Sequence, residues 1–456
     1  MTYRGSARRS MSLGTVAIFA LALAAVCASS GAAVAAASPS AAAGDVFYSS
    51  EATAPQAQSA VAMQTFLSTS HPEFTLQSYV WAGSLVEDDG GLSTFACEVQ
   101  RNPEKMDGTA QLPLVTSAVL FNRSSSPGYA VGALLGTPEF TLPFSLTTLP
   151  WSVRAQSFTI GQQPQFIDVR VVDGVLGKKG AVYEFTSYVP NGATGAPAGQ
   201  SLTLYVRARD VTGLMQWGYG PSGFFPQWIY PDQRAAITGT YGNSVGDYLE
   251  ATRDPMVDQG DYYYTLPLLE VQRFSVSLGD QVVSQGSRGW LWFDNVEQSY
   301  DAKALEIIEN HVTWMEFSVQ FPKTRQAMKI GYVEQASVGQ LDYAMLHDAD
   351  SPKAQNGNYT DSVDWDIDQI HITPDASSLW KSPASGQSYY TRFTVTLDGA
   401  RPRERAKLVI AAKFQDQEIV ADQRAVYEGL FSVSGTLCGK KVTGQAWTEV
   451  QPAADL

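Results

Sequence analysis

Phe274-Ser-Val-Ser277, followed by Gly279, Val282-Val283, Gly289-Trp290 and Asp294, decides how this chain folds. Alternation of apolar and small polar residues puts every other side chain on one face of a strand, and a glycine between two such runs marks a hairpin. The same pattern returns as Phe431-Ser-Val-Ser434, then Gly439, Val442, Gly444, Ala446-Trp447 and Glu449. A shared four-residue word alone could be coincidence, but the shared continuation points to a duplicated unit. A unit of that spacing, built from antiparallel strands, suits a closed barrel. An eight-stranded barrel can hold one small ligand.

Around the two hairpins the chain keeps the same character. Short runs rich in Val, Tyr, Phe, Thr and Trp alternate with Gly, Pro, Asn and Asp from Leu76 to Val450. Helix-period patterns are scarce; short helices are expected over Ser59–Leu67 and Ala302–Asn310 only. The expected fold is therefore all-β: two tandem antiparallel barrels with few short helices.

Composition narrows the function. Of 456 residues 44% are hydrophobic and only 17% charged, which excludes a disordered chain. A net charge of −14 argues against nucleic acid as a partner, because phosphate recognition needs a basic stripe. Arg4, Arg8 and Arg9 precede an apolar run from about Leu13 to Ala28 and then an Ala-x-Ala site, the form of a secretory signal peptide over residues 1–37. The apolar run is shorter than a membrane span, and no later stretch is long and apolar enough, so no integral span is expected after cleavage. Residues 38–58 read as an Ala/Ser-rich lead-in, 59–294 as an N-terminal domain and 295–456 as a C-terminal one. The expected location is secreted, or periplasmic in a Gram-negative host. Cleavage removes Cys27 and leaves Cys97 and Cys438, either one disulfide or two buried thiols. Asn122 and Asn358 open glycosylation triplets.

Several further features resemble the secreted AttH-like proteins, the superfamily of carotenoid hydratases, kievitone hydratase and Diels-Alder-type fungal cyclases. They are Trp81-Ala-Gly-Ser-Leu85 with Asp88-Asp-Gly90, Tyr262-Tyr-Tyr264 with Pro267, Gly289-Trp290 with Phe293-Asp294, and Trp314 to Phe321. Trp380-Lys-Ser-Pro383 with Gly386 and Tyr389, Tyr427-Glu-Gly429, Val433-Ser-Gly435, Val442-Thr-Gly444 and Trp447-Thr-Glu449 continue the pattern. The resemblance runs from about residue 74 to 450 and is strongest after Tyr262. It implies two lipocalin-like barrels and a lipophilic ligand. Many such relatives carry an Asp-His-x-Trp-Gly-like stretch after the first hairpin. Here Asp294-Asn295-Val296-Glu297-Gln298 keeps the acid and lacks the His, Trp and Gly. Tyr332-Val-Glu334 would match the tyrosine and acid that carotenoid hydratases place on a neighbouring strand.

Among the residues themselves, the sharpest candidates pair an acid with aromatics two positions apart. Trp290, Trp292 and Asp294 share a face, as do Trp314 and Glu316, Tyr332 and Glu334, and Trp447 and Glu449. An acid among aromatic walls keeps its proton to higher pH and can give it to a double bond; aromatic faces would then steady the resulting cation until water captures it. Asp294 is the expected proton donor and Glu334 the second. Trp290, Trp292, Trp314, Tyr332 and Tyr264 are the expected ligand-binding residues. This chemistry calls for no metal and no organic cofactor. Two alternatives stand beside it: Leu291, Phe293, Met315, Phe317 and Val319 form the buried faces and the acids meet solvent, or the pocket only carries its ligand. Asp364-Trp-Asp366-Ile-Asp368 lacks the glycine and glutamate of a calcium loop, and four scattered histidines (71, 311, 347, 371) show no ligand spacing and read as surface or capping residues.

Overall fold

The computed structural model describes residues 76–102, 114–123, 126–135, 152–157, 165–189, 200–217, 224–225, 231–252, 261–298, 312–335, 339–351, 362–401, 404–421 and 424–453. The expected signal and lead-in regions, the two helices expected from sequence and Asn358 lie outside them.

The first unit runs β1 (Leu76–Glu87), β2 (Leu92–Asn102), β3 (Leu114–Arg123), β4 (Ser126–Leu135), β5 (Ser152–Ser157), β6 (Gln165–Asp173), β7 (Val182–Val189), β8 (Leu202–Asp210), β9 (Met215–Trp217), β10 (Phe224–Phe225), β11 (Asp261–Leu278) and β12 (Gln281–Gln298). The second runs β13 (Val312–Phe321), β14 (Gln326–Gln335), β15 (Gly339–Gln340), β16 (Tyr343–Asp348), β17 (Ser362–Trp365), β18 (Ile370–Pro374), β19 (Leu379–Lys381), β20 (Ser388–Tyr390), β21 (Arg392–Leu397), β22 (Ala406–Ala412), β23 (Glu418–Ala421), β24 (Arg424–Leu437) and β25 (Lys440–Val450). All the pairings are antiparallel, and the two large sheets curl into one nearly closed barrel and one half-barrel, the lipocalin-like pair expected.

The duplicated hairpins hold the same place in each unit. β11–β12 is flanked by β1 and β8, and β24–β25 by β13 and β22, so the first strand of each unit pairs with its last. β12 continues to Gln298, past the expected domain boundary at residue 294, and the first described strand of the second unit starts at Val312.

One face of each sheet closes over its own core. In the first barrel Trp81, opposite Phe293 in the β1–β12 register, stacks on it at 5.1 Å and meets Phe185 edge-on at 5.6 Å. In the second, Phe317 packs edge-on against Phe393 at 5.3 Å, with Met315, Val319 and Phe431 beside them. Leu291, Phe293, Met315, Phe317 and Val319 thus face the cores, as the first alternative has it.

Two short helices, Pro231–Thr240 and Val245–Thr252, were not anticipated. Their signals are local: proline suits a first helical position, and Ser244 caps the second helix by accepting from the Asp247 amide at 3.1 Å. Cys97 is buried in the first core and Cys438 sits in the β24–β25 turn; both are free thiols, so the disulfide candidate is corrected to two unbridged cysteines. Asn122 lies on β3 opposite Thr94. Among the described residues no helix is long and apolar enough to cross a membrane.

Candidate functional site

The other face of each hairpin is covered along part of its length. On the first barrel it carries Ser84, Trp290, Trp292 and Asp294; on the second, Glu316, Ser318, Gln320, Lys329 and Gln445. These two faces meet in a seam.

Glutamines sew it shut. Gln320 Nε2 donates to the carbonyls of Pro267 at 2.5 Å and Leu291 at 2.9 Å. Gln445 Nε2 donates to the Trp290 carbonyl at 3.0 Å, while its Oε1 accepts from Ser84 Oγ at 2.7 Å. Pro267 helps to create an acceptor: the β11–β12 register shifts between Leu266 and Leu269, which frees a carbonyl in mid-strand. Apolar contact is continuous across the seam, because Ala327, Val333, Tyr343 and Met345 of the second barrel belong to the same cluster as the first barrel's core.

At the centre lies Lys329, wholly buried. Its ammonium donates to Asp294 Oδ2 at 3.0 Å across the seam and to Ser318 Oγ at 2.9 Å, and pairs with Glu316 Oε2 at 3.0 Å. Those three bonds use every N–H it has. Aromatic faces complete its shell, Tyr263 at 4.6 Å and Trp292 at 5.5 Å. Its two carboxylates hold its proton above the usual lysine range against the cost of burial.

The carboxylates of this cluster are saturated too. Asp294 Oδ1 accepts from the Trp292 indole at 2.6 Å, and Glu316 Oε1 from the Tyr343 hydroxyl at 2.8 Å. Tyr343 reaches there because its ring lies across Gly331, where a Cβ would stand 2.2 Å from a ring carbon. Burial pushes the Asp294 carboxyl upward and the Lys329 ammonium pulls it back. With an N–H donor on each oxygen, Asp294 is built as the anionic partner of Lys329.

Beside this ion cluster stand three further acids. In the second barrel Glu316, Glu449 and Glu428 lie directly opposite one another across β13, β25 and β24. Glu98 faces them from β2 of the first barrel, where it pairs with Val80, itself opposite Asp294. Glu98 accepts from Ser78 Oγ at 2.9 Å and Glu428 from the Trp447 indole at 2.7 Å. Burial pushes both carboxyls up to about 8, and it raises Glu449 well above the carboxylate range, aided by Glu428 and Glu316. Among the described residues, no group of three or more His, Cys, Asp or Glu side chains is placed to hold a metal ion.

Four sequence candidates therefore converge: Asp294, Trp292, Trp290 and Trp314 all lie on the seam faces, the last half-buried against the first core. Three do not. Glu334 is exposed at the end of β14, on the face opposite Lys329, where it accepts from Tyr332. Tyr332 packs on the second core. Tyr264 is buried one residue from Tyr263 and so turns to the other side of β11, into the first core. His347 corrects the surface assignment: it is buried on the seam, edge-on to Trp217 at 6.3 Å.

The residues missed were Lys329, Glu98 and Glu428. Lys329 left one legible trace, a lone charge on a strand face otherwise made of Ala327, Gly331 and Val333. Glu98 left none, and Glu428 only its place inside Tyr427-Glu-Gly429, because each sits two residues from ordinary polar or apolar neighbours.

No protein-family model and no curated protein matches the sequence. Solved structures do. An AttH-type protein from Nitrosomonas europaea is 15% identical with a TM-score of 0.53, over 84% of this chain and 94% of that one. Kievitone hydratase from Nectria haematococca is 13% identical, also with a TM-score of 0.53, over 85% and 92%. At such identity the likeness is one of fold, and it extends over both barrels.

Proposed function

We propose that this chain is a secreted hydratase or cyclase acting on a lipophilic, unsaturated small molecule of isoprenoid or polyketide kind. The observation that carries this reading is an excess of acid on the seam: Glu98, Asp294 and Glu428 are buried and Glu316 and Glu449 half-buried, against one buried cation, Lys329, which pairs with Asp294 and Glu316. Lys329 neutralises part of that set, so the rest hold protons at neutral pH on seam faces that also carry Trp290, Trp292, Trp314 and Trp447.

A neutral acid in such a place is a proton donor. The alkene π pair takes the proton to form a C–H bond, and the O–H electrons remain on the carboxylate. A tertiary cation results, steadied by indole faces and the Asp294 and Glu316 charges. Water then adds through oxygen and returns a proton to the carboxylate, for a net gain of one water. In a cyclase a second π bond closes on the cation instead.

Incubation of the full secreted chain with a panel of prenylated phenols tests this. The expected result is a product heavier by one water, or an isomer of unchanged mass and altered retention. Binding across the panel without either product would replace the enzyme with a carrier.

A further inference from the structure

We infer that the proton comes from a shared carboxyl pair, Glu449 with Glu428, and that Asp294 is the fixed counter-charge rather than the donor. This rests on the reading above and names its acid. Three observations carry it.

The first is register. Glu428 and Glu449 are direct partners on β24 and β25, and Glu316 is the direct partner of Glu449 on β13. Side chains opposite each other on one face stand within about 4.5–5.5 Å at Cβ, and like charges so placed repel. Glu316 is already committed as an anion to Lys329 and Tyr343. Its neighbours must then relieve the repulsion by keeping a proton between them, as paired carboxyls do.

The second is hydrogen-bond satisfaction. Glu428 is 6% exposed, and its Oε2 has no partner; Glu449 Oε1 is shut from solvent and likewise has none. Asp294, in contrast, has an N–H donor on each oxygen. An oxygen that already accepts two N–H groups between it and its twin gains little from a proton. The unpartnered oxygens are where one can be carried and offered.

The third is access. Glu449 as a whole is half-buried, as are Trp447 and Trp314, whereas Glu428 lies deeper. Glu449 is thus the outer member of the pair, next to indole surface, and Glu428 is the inner reservoir. The charged groups that act on the pair are Glu98 from β2, Glu316 from β13 and Lys329 from β14; Tyr343 of β16 reaches it only through Glu316.

Infrared titration of the full chain, alongside E449Q and E428Q, tests the pair without needing a substrate. A protonated-carboxyl stretch is expected at neutral pH, fading as pH rises through about 8, and reduced in both variants. Absence of that stretch at neutral pH, or its full persistence in both variants, would overturn the inference. On any prenylated phenol that the wild type converts, E449Q should lose about 100-fold or more in turnover while still quenching tryptophan fluorescence on binding. Full turnover in E449Q and E428Q would also overturn it and leave the hydratase reading intact. A wild type that converts nothing would sink that reading, while the infrared result still decides the pair.

Discussion

The two barrels repeat one topology and turn opposite chemistry toward each other. At the seam the β11–β12 hairpin presents Trp290, Trp292 and a buried acid, Asp294, whereas β24–β25 with β13 presents Trp447 and three acids in one row. Their inner faces are alike, both apolar and aromatic. Duplication therefore preserved what each core needs, alternation and ring packing, and left the outward face free to diverge. Once the two outward faces met, they stopped being surface. Their polar residues then had to be satisfied by each other, and a lysine of one barrel became the counter-ion of an acid of the other.

The strongest way to break this contrast is to remove the charge that joins the two faces. K329M should leave Asp294 and Glu316 buried without their cation and cost about 3–5 kcal/mol, read as a lower urea midpoint at unchanged m-value. Combining it with D294N and E316Q should recover much of that loss, since neutral amides no longer need the ammonium.

Next comes pH. Glu98 and Glu428 hold protons in the folded chain up to about 8, while the unfolded chain releases them near 4.5. The folded state then binds more protons within that window, so stability should fall as pH rises from about 4.5 to about 8 and level off above. E428Q should make that decline shallower in denaturation curves taken across the same range. An unaltered slope would mean that Glu428 is already ionised.

A smaller effect is expected at Gly331. G331A forces the Tyr343 ring off its place over the strand and loosens its hold on Glu316. A loss of about 1–3 kcal/mol should appear as a lower thermal midpoint. The smallest belongs to the acid that lies outside the seam: E334Q should change stability by less than about 0.5 kcal/mol and leave turnover untouched. A large effect there would move the chemistry from the seam to the mouth of the second barrel.

Much of this was legible before the structure. Period-two alternation placed Trp290, Trp292 and Asp294 on one face, and the repeated hairpin announced two units of one kind. The helices at Pro231–Thr240 and Val245–Thr252 carry only short signals, Pro231 and the Ser244–Asp247 cap, which the surrounding strand pattern outweighs. Glu334 misled because Tyr332-Val-Glu334 has the same spacing as Trp292-Phe-Asp294. Spacing says which residues travel together, not where they are taken.

That is the division this protein draws. Local sequence determined strand, turn and shared face, because backbone geometry and side-chain alternation are set within a few residues. Only the tertiary structure decided that a strand face would meet a lumen, water or another barrel. That choice depends on partners distant in the chain: Asp294 finds Lys329 35 residues away, and Gln445 finds the Trp290 carbonyl 155 residues away. The proton-holding state of Glu449 and Glu428 follows from the same meeting, since a carboxyl keeps its proton only where water and a spare cation are both withheld.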